Sequence, residues 1–150
     1  MATGGRAEVQ EVSKYAYIAG PVTGLPDRNR PAFEVARLVV ERITGARVTI
    51  PHDFVKESDA ETTAMVLCVV AICDMVKLGL SPVVVVLPGW RESAGSLVEV
   101  ALARKLGVPV CELHGDELVL LSPGHPSEAA RRATGETASD HANLGKETQT

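Results

Sequence analysis

The sequence predicts an α/β protein with a flavodoxin-like (Rossmann-like) doubly wound parallel sheet of four to five strands in the order 2-1-3-4-5. Three observations predict it. Short apolar runs of strand length alternate with amphipathic stretches of helix length. The most apolar run, Val83-Val84-Val85-Val86-Leu87, has no polar residue and reads as a strand buried on both faces. Glycine or proline closes each candidate element in turn, at Gly20-Pro21, Gly45, Pro51, Gly79, Pro88-Gly89 and Gly107.

Taken in order, residues 1–13 read as a flexible leader and 14–121 as the domain. Lys14–Ala19 makes the first strand. A loop through Thr23, Gly24, Arg28 and Arg30 follows, and Asn29 is positioned to cap a helix whose first turn contains Pro31. Phe33, Ala36, Val40 and Ile43 recur at helical spacing. Arg47–Ile50 is the second strand. Ser58 and Glu61 have the spacing of a capping box opening a second helix that runs to Leu78. That helix is apolar nearly all round from Met65 to Cys73, which predicts burial against another subunit and hence a homodimer or larger homo-oligomer through residues 62–78. Val83–Leu87, a helix from Ser96 to Leu106, and Val108–Leu113 complete a further βαβ unit, with Leu118–Leu121 as a last edge strand. From Ser122 the chain has no aromatic residue and no apolar period, so 122–150 reads as a disordered tail.

Composition narrows the function classes. Hydrophobic residues make up 45% but aromatics only 3%, so the core is aliphatic. A net charge of −4 without a basic cluster argues against a nucleic-acid partner. No apolar signal region opens the chain, and the apolar stretch Ala64–Cys73 is too short to span a bilayer. A cytoplasmic protein with no membrane partner is expected. Cys68, Cys73 and Cys111 sit in apolar surroundings and read as reduced, buried thiols. The histidines are scattered, and no metal is expected.

In this strand order the loops after Ala19 and Leu87 flank one crevice at the topological switch point. The first loop offers backbone N–H groups at Gly20, Thr23 and Gly24, the Thr23 hydroxyl, and the guanidinium groups of Arg28 and Arg30. It matches neither the dinucleotide pattern nor a Walker loop, so it suits a sugar or a single phosphate rather than NAD or ATP. The second loop offers Trp90, Ser93, Gly95 and Ser96, and then Glu99. Spacing alone leaves Glu99 as either a surface-helix residue or a site carboxylate, Ser93 and Ser96 as ligand donors or helix caps, and Trp90 as a stacking platform or an edge-packing residue. Asp74, an acid late in an apolar helix where the dipole disfavours it, is the second candidate. Two carboxylates on one crevice suit glycosidic-bond chemistry, which needs no cofactor.

The stretch from Tyr17-Ile18-Ala19-Gly20-Pro21-Val22-Thr23-Gly24 through Arg28 to Phe33 resembles the opening of small phage and actinobacterial proteins of the nucleoside 2-deoxyribosyltransferase-like superfamily. Leu87-Pro88-Gly89-Trp90, followed by Ser93, Gly95 and Glu99 and then Ala101, Ala103 and Leu106-Gly107, is similar to the second signature of that group. The resemblance spans about residues 15–113 and extends to the 2'-deoxynucleoside 5'-monophosphate N-hydrolases. It implies Glu99 as nucleophile and Asp74 as the group that assists the leaving base or orients the sugar. It implies a substrate-binding set of Tyr17, Gly20, Pro21, Thr23, Gly24, Arg28, Trp90, Ser93 and Gly95, and assembly as dimers or larger. The expected function is cleavage, by hydrolysis or transfer, of the N-glycosidic bond of a deoxynucleoside or its 5'-monophosphate. The alternative is a protein that binds a nucleotide or nucleotide sugar without turnover.

Overall fold

Side chains alternate strictly along the first strand, Tyr15–Ala19 (β1): Ala16 and Ile18 enter one apolar cluster, Tyr17 and Ala19 another. This period-two split recurs in Val83–Val86 (β3), whose four valines are all fully buried. A β-branched strand with no polar face has only one place to go, the centre of the sheet. In the structure, a computed structural model describing residues 13–121, β3 pairs with β1 on one side and with Val110–His114 (β4) on the other. Arg47–Thr49 (β2) pairs with β1, and Glu117–Leu120 (β5) with β4, giving the order β2-β1-β3-β4-β5. The first three pairings are parallel and the last is antiparallel. The expected fold is thus the observed one, with the fifth strand turned back by the two-residue turn at Gly115-Asp116.

Helix Arg30–Thr44 (α1) covers one face, burying Phe33, Ala36 and Val40 against Ile18, Ile50, Val85 and Cys111. Helices Glu61–Lys77 (α2) and Ala94–Lys105 (α3) cover the other. There Cys68, Ile72, Val100 and Ala103 pack on Tyr17, Val84 and Val86. The expected leader (apart from Ser13) and tail lie outside the described residues. Among the described residues no helix is long and apolar enough to cross a membrane.

Two local expectations are corrected, and one open alternative is resolved. Asn29 stands at the N-cap position of α1 but is left-handed (φ 58°) and makes no cap bond; its amide Nδ2 donates instead to the Pro21 carbonyl at 2.9 Å. The Ser58 box does not form, because α2 begins at Glu61 with Ala60 as its cap residue. At α3 the cap is Ser93, whose Oγ accepts from the Ser96 amide at 3.3 Å.

A buried carboxylate in a candidate active-site pocket

The C-terminal ends of β1 and β3 open onto a pocket of about 730 Å³. It is bounded by the loop after β1, the turn Pro51–Asp53 after β2, the first two turns of α2, and the start of α3. Its volume lies within the range that accommodates a small organic ligand.

Two tight backbone features shape this opening. Gly20 passes so close to Leu87 that a Cβ there would stand 3.0 Å from the Leu87 Cβ, so a larger residue would require the Leu87 side chain to give way. After β3 the chain reverses at Gly89, with φ 85°, a conformation that suits glycine. The Trp90–Glu92 turn follows and leads to Ser93, whose side chain starts α3.

Glu99 is one turn and a half into α3. It is only 4% exposed, lines the pocket, and its Oε2 is buried with no hydrogen-bond partner. No basic side chain pairs with it among the described residues. Burial therefore pushes its carboxyl up to about 7, with the nearby Tyr17 hydroxyl pulling the other way. A carboxyl left desolvated without a counter-ion is destabilising and requires a local reason. Tyr17, fully buried at the centre of β1, faces both Glu99 and the Cys68 thiol. Its hydroxyl is held well above its ordinary pKa, first by burial and then by the Glu99 and Cys68 charges. Burial likewise raises the Cys68 thiol to about 11, so it is protonated at neutral pH. The Tyr17 hydroxyl lies near both groups yet has no hydrogen-bond partner. Two buried polar atoms, Tyr17 Oη and Glu99 Oε2, thus remain unpaired side by side, which is rare in a native interior.

Of the residues expected at the site, Gly20, Pro21, Thr23, Arg28, Ser93, Gly95 and Glu99 line the pocket. Tyr17 lies behind its wall, in contact with Glu99, while Gly24 is exposed and outside the lining. Thr23 Oγ1 donates to Glu61 Oε1 at 3.2 Å, joining the first loop to the start of α2 across the opening.

Two expected site residues are corrected. Asp74 is exposed in the last turn of α2 and lines no part of the pocket. The pocket meets α2 between Glu61 and Cys68, at the helix's other end. Trp90 is not a stacking platform. It is 5% exposed within the α2–α3 core, its Nε1 donates to Glu112 Oε2 at 3.2 Å, and Arg91 lies 4.5 Å over its ring. Arg91 and His114 also contact Glu112, each at 3.3 Å, so this buried acid is shared among three partners.

Sequence reasoning missed His52, Cys68 and Glu61 as pocket residues. His52 directly follows Pro51 at the C-terminal end of β2, the side of a parallel sheet where ligands bind, and that position was the available signal. Its Nε2 donates to the Arg28 carbonyl at 2.9 Å, which leaves Nδ1 as a buried acceptor without a partner. Burial lowers its pKa, opposed by the bond to Arg28, so the ring is neutral at pH 7. Among the described residues no group of three or more His, Cys, Asp or Glu side chains could hold a metal ion.

Residues 14–112 match the family described as a domain of unknown function, DUF4406, and the chain belongs to that family. Comparisons with curated proteins and with solved structures each return no match.

Proposed function

We propose that the protein cleaves the N-glycosidic bond of a deoxynucleoside or deoxynucleoside 5'-monophosphate, with Glu99 as the nucleophile. The observation that carries this reading is the buried, unpaired Glu99 carboxylate at a pocket of nucleotide-compatible size. The resemblance of the Tyr17–Phe33 and Leu87–Leu106 stretches to the nucleoside 2-deoxyribosyltransferase-like superfamily supports it.

In the first step a Glu99 oxygen bonds to C1' while the C1'–N bond breaks and its electron pair leaves with the base. A proton reaches the departing base from water or from Glu61 or Glu92, the other carboxyls of the pocket lining, in the role that the resemblance implies for Asp74. Water, or a second base, then attacks C1' and releases Glu99, so configuration is retained overall. Desolvation makes the ionised carboxylate a stronger nucleophile than one in water, and ester formation removes its uncompensated charge. Tyr17 stands behind the carboxylate and influences its charge.

Incubation with a panel of 2'-deoxynucleosides and their 5'-monophosphates, followed by intact mass spectrometry, tests the reading. A deoxyribosyl or deoxyribosyl-phosphate adduct on Glu99, absent in Glu99→Gln, supports it. Free base released equally by both proteins refutes it.

A second reading, ligand binding without turnover, draws on the exposed position of Asp74 away from the pocket. Calorimetric binding of the same compounds without base release distinguishes it. Assembly is part of the proposal as well. Val66 and Val70 on α2 are 56% and 45% exposed, Leu97 and Val98 on α3 are 46% and 47%, and Val66 and Val98 border the pocket. A second copy covering this apolar face would close the pocket's edge; a monomer in light scattering refutes it.

A further inference from the structure

We propose that His52 is a positioning residue for anion recognition: it holds the loop after β1 in the shape that turns Arg28 toward the pocket. It thereby makes the site prefer a phosphorylated substrate over an unphosphorylated one. The inference rests on the reading of the pocket as a nucleoside or nucleotide site.

Asp27, Arg28 and Asn29 have φ angles of 52°, 52° and 58°, three consecutive L-residues in the left-handed region. Asparagine and aspartate tolerate that conformation singly, arginine does so poorly, and a run of three is not a local preference. Contacts must impose it. Three are local: the Arg28 amide to the Leu25 carbonyl at 3.1 Å, the Arg30 amide to the Asp27 carbonyl, and Asn29 Nδ2 to the Pro21 carbonyl at 2.9 Å. Among the described residues, the only side chain from elsewhere in the fold that bonds this backbone is His52, through Nε2 to the Arg28 carbonyl at 2.9 Å.

His52 is itself fixed. Its ring lies 4.8 Å from that of Phe33 on α1, and Pro51 precedes it. The next residue, Asp53, accepts from both terminal nitrogens of Arg37 at 2.9 and 2.6 Å and from the Ile50 amide at 3.0 Å. Such a bidentate clamp resists displacement, so the loop after β1 follows His52 and not the reverse.

The result is a half-buried Arg28 that lines the pocket with its Nε buried and unpaired. Beside it, His52 Nδ1 is a bare acceptor, also buried and unpaired, in a side chain only 8% exposed. The guanidinium calls for an anionic oxygen, and the phosphate of a nucleoside monophosphate supplies one that the deoxynucleoside lacks.

Calorimetry on the full chain tests this, with the four 2'-deoxynucleoside 5'-monophosphates and the matching deoxynucleosides as probes. His52→Ala is expected to weaken monophosphate binding about tenfold or more while changing deoxynucleoside binding by less than about twofold. His52→Gln, which places a donor where Nε2 stands, restores most of the affinity. Adding His52→Ala to Arg28→Ala produces no further loss, because both act through one guanidinium. Equal loss for both ligand classes in His52→Ala, an unchanged monophosphate affinity, or additive losses in the double variant would overturn the inference while leaving the pocket reading intact. A wild-type protein that binds neither class of compound overturns both.

Discussion

Replacing Glu99 with glutamine should make the protein more stable and inactive together. The carboxyl is 4% exposed and raised by burial from its ordinary 4.5 to about 7. Over that interval the folded chain holds this proton more tightly than the unfolded chain does. The stability contributed by the protonated form is complete below about pH 4.5, declines as pH rises, and is lost above about pH 7. At 1.36 kcal/mol per pKa unit the wild type forfeits about 3 kcal/mol between pH 4.5 and 8 through this one group. Glutamine has no proton to lose. Urea denaturation followed by far-UV circular dichroism at both pH values measures the effect as the difference between the two proteins, which cancels groups such as His52 and Asp53 that titrate in both. The advantage of Glu99→Gln should grow by about 3 kcal/mol from the lower pH to the higher. A difference that stays constant with pH means that Glu99 is not desolvated, and the reasoning fails. Catalysis should follow the same ionisation with the opposite consequence. A nucleophile must be charged, so kcat/KM for base release rises with pH through about 7 in the wild type. A profile that falls through that range makes Glu99 a proton donor instead.

Asp74→Asn, at an exposed position outside the pocket, should change the rate of base release by less than about twofold in steady-state assays. Glu112→Ala strips the buried Trp90 N–H of its acceptor and should cost about 1 to 3 kcal/mol in urea titration, with Glu112→Gln costing less because an oxygen remains. Gly20→Ala places a Cβ 3.0 Å from the Leu87 side chain, and the same titration should show a loss of about 1 to 3 kcal/mol from overpacking.

Much of the architecture is written in local pattern. Four consecutive valines specify a central strand, and alternation with helices punctuated by glycine and proline specifies the strand order. Glu99 was legible in part: its place after the end of such a strand marked it as a candidate, and its burial, which spacing could not give, removes the surface-helix alternative. Asp74 was not, because its distance from Glu99 along the chain carries no record of which end of α2 meets the pocket. Trp90 was ambiguous until β4 brought Glu112, 22 residues away, within reach of its indole. The left-handed run at 27–29 has no sequence signature. It is imposed by His52, 24 residues beyond Arg28, and becomes visible only when β2 is laid beside β1. Glu61 has the correct spacing for a capping box, yet the cap position falls to Ala60, and its carboxylate meets Thr23 across the opening instead.

The central sheet keeps its two apolar clusters apart, and this has a consequence for how the chain tolerates change. Phe33, Val40 and Ile50 lie on one side, while Tyr17, Cys68 and Glu99 meet on the other. Substitutions on opposite faces share no neighbours and should act additively. Tighter packing around Val40, away from the Phe33 contact with His52, can therefore offset the destabilisation that a desolvated carboxyl imposes across the sheet. A lineage can alter the chemistry on one side while adjusting its thermal tolerance on the other, and the α1 face is where directed evolution should seek stabilising changes that leave the pocket's reaction untouched.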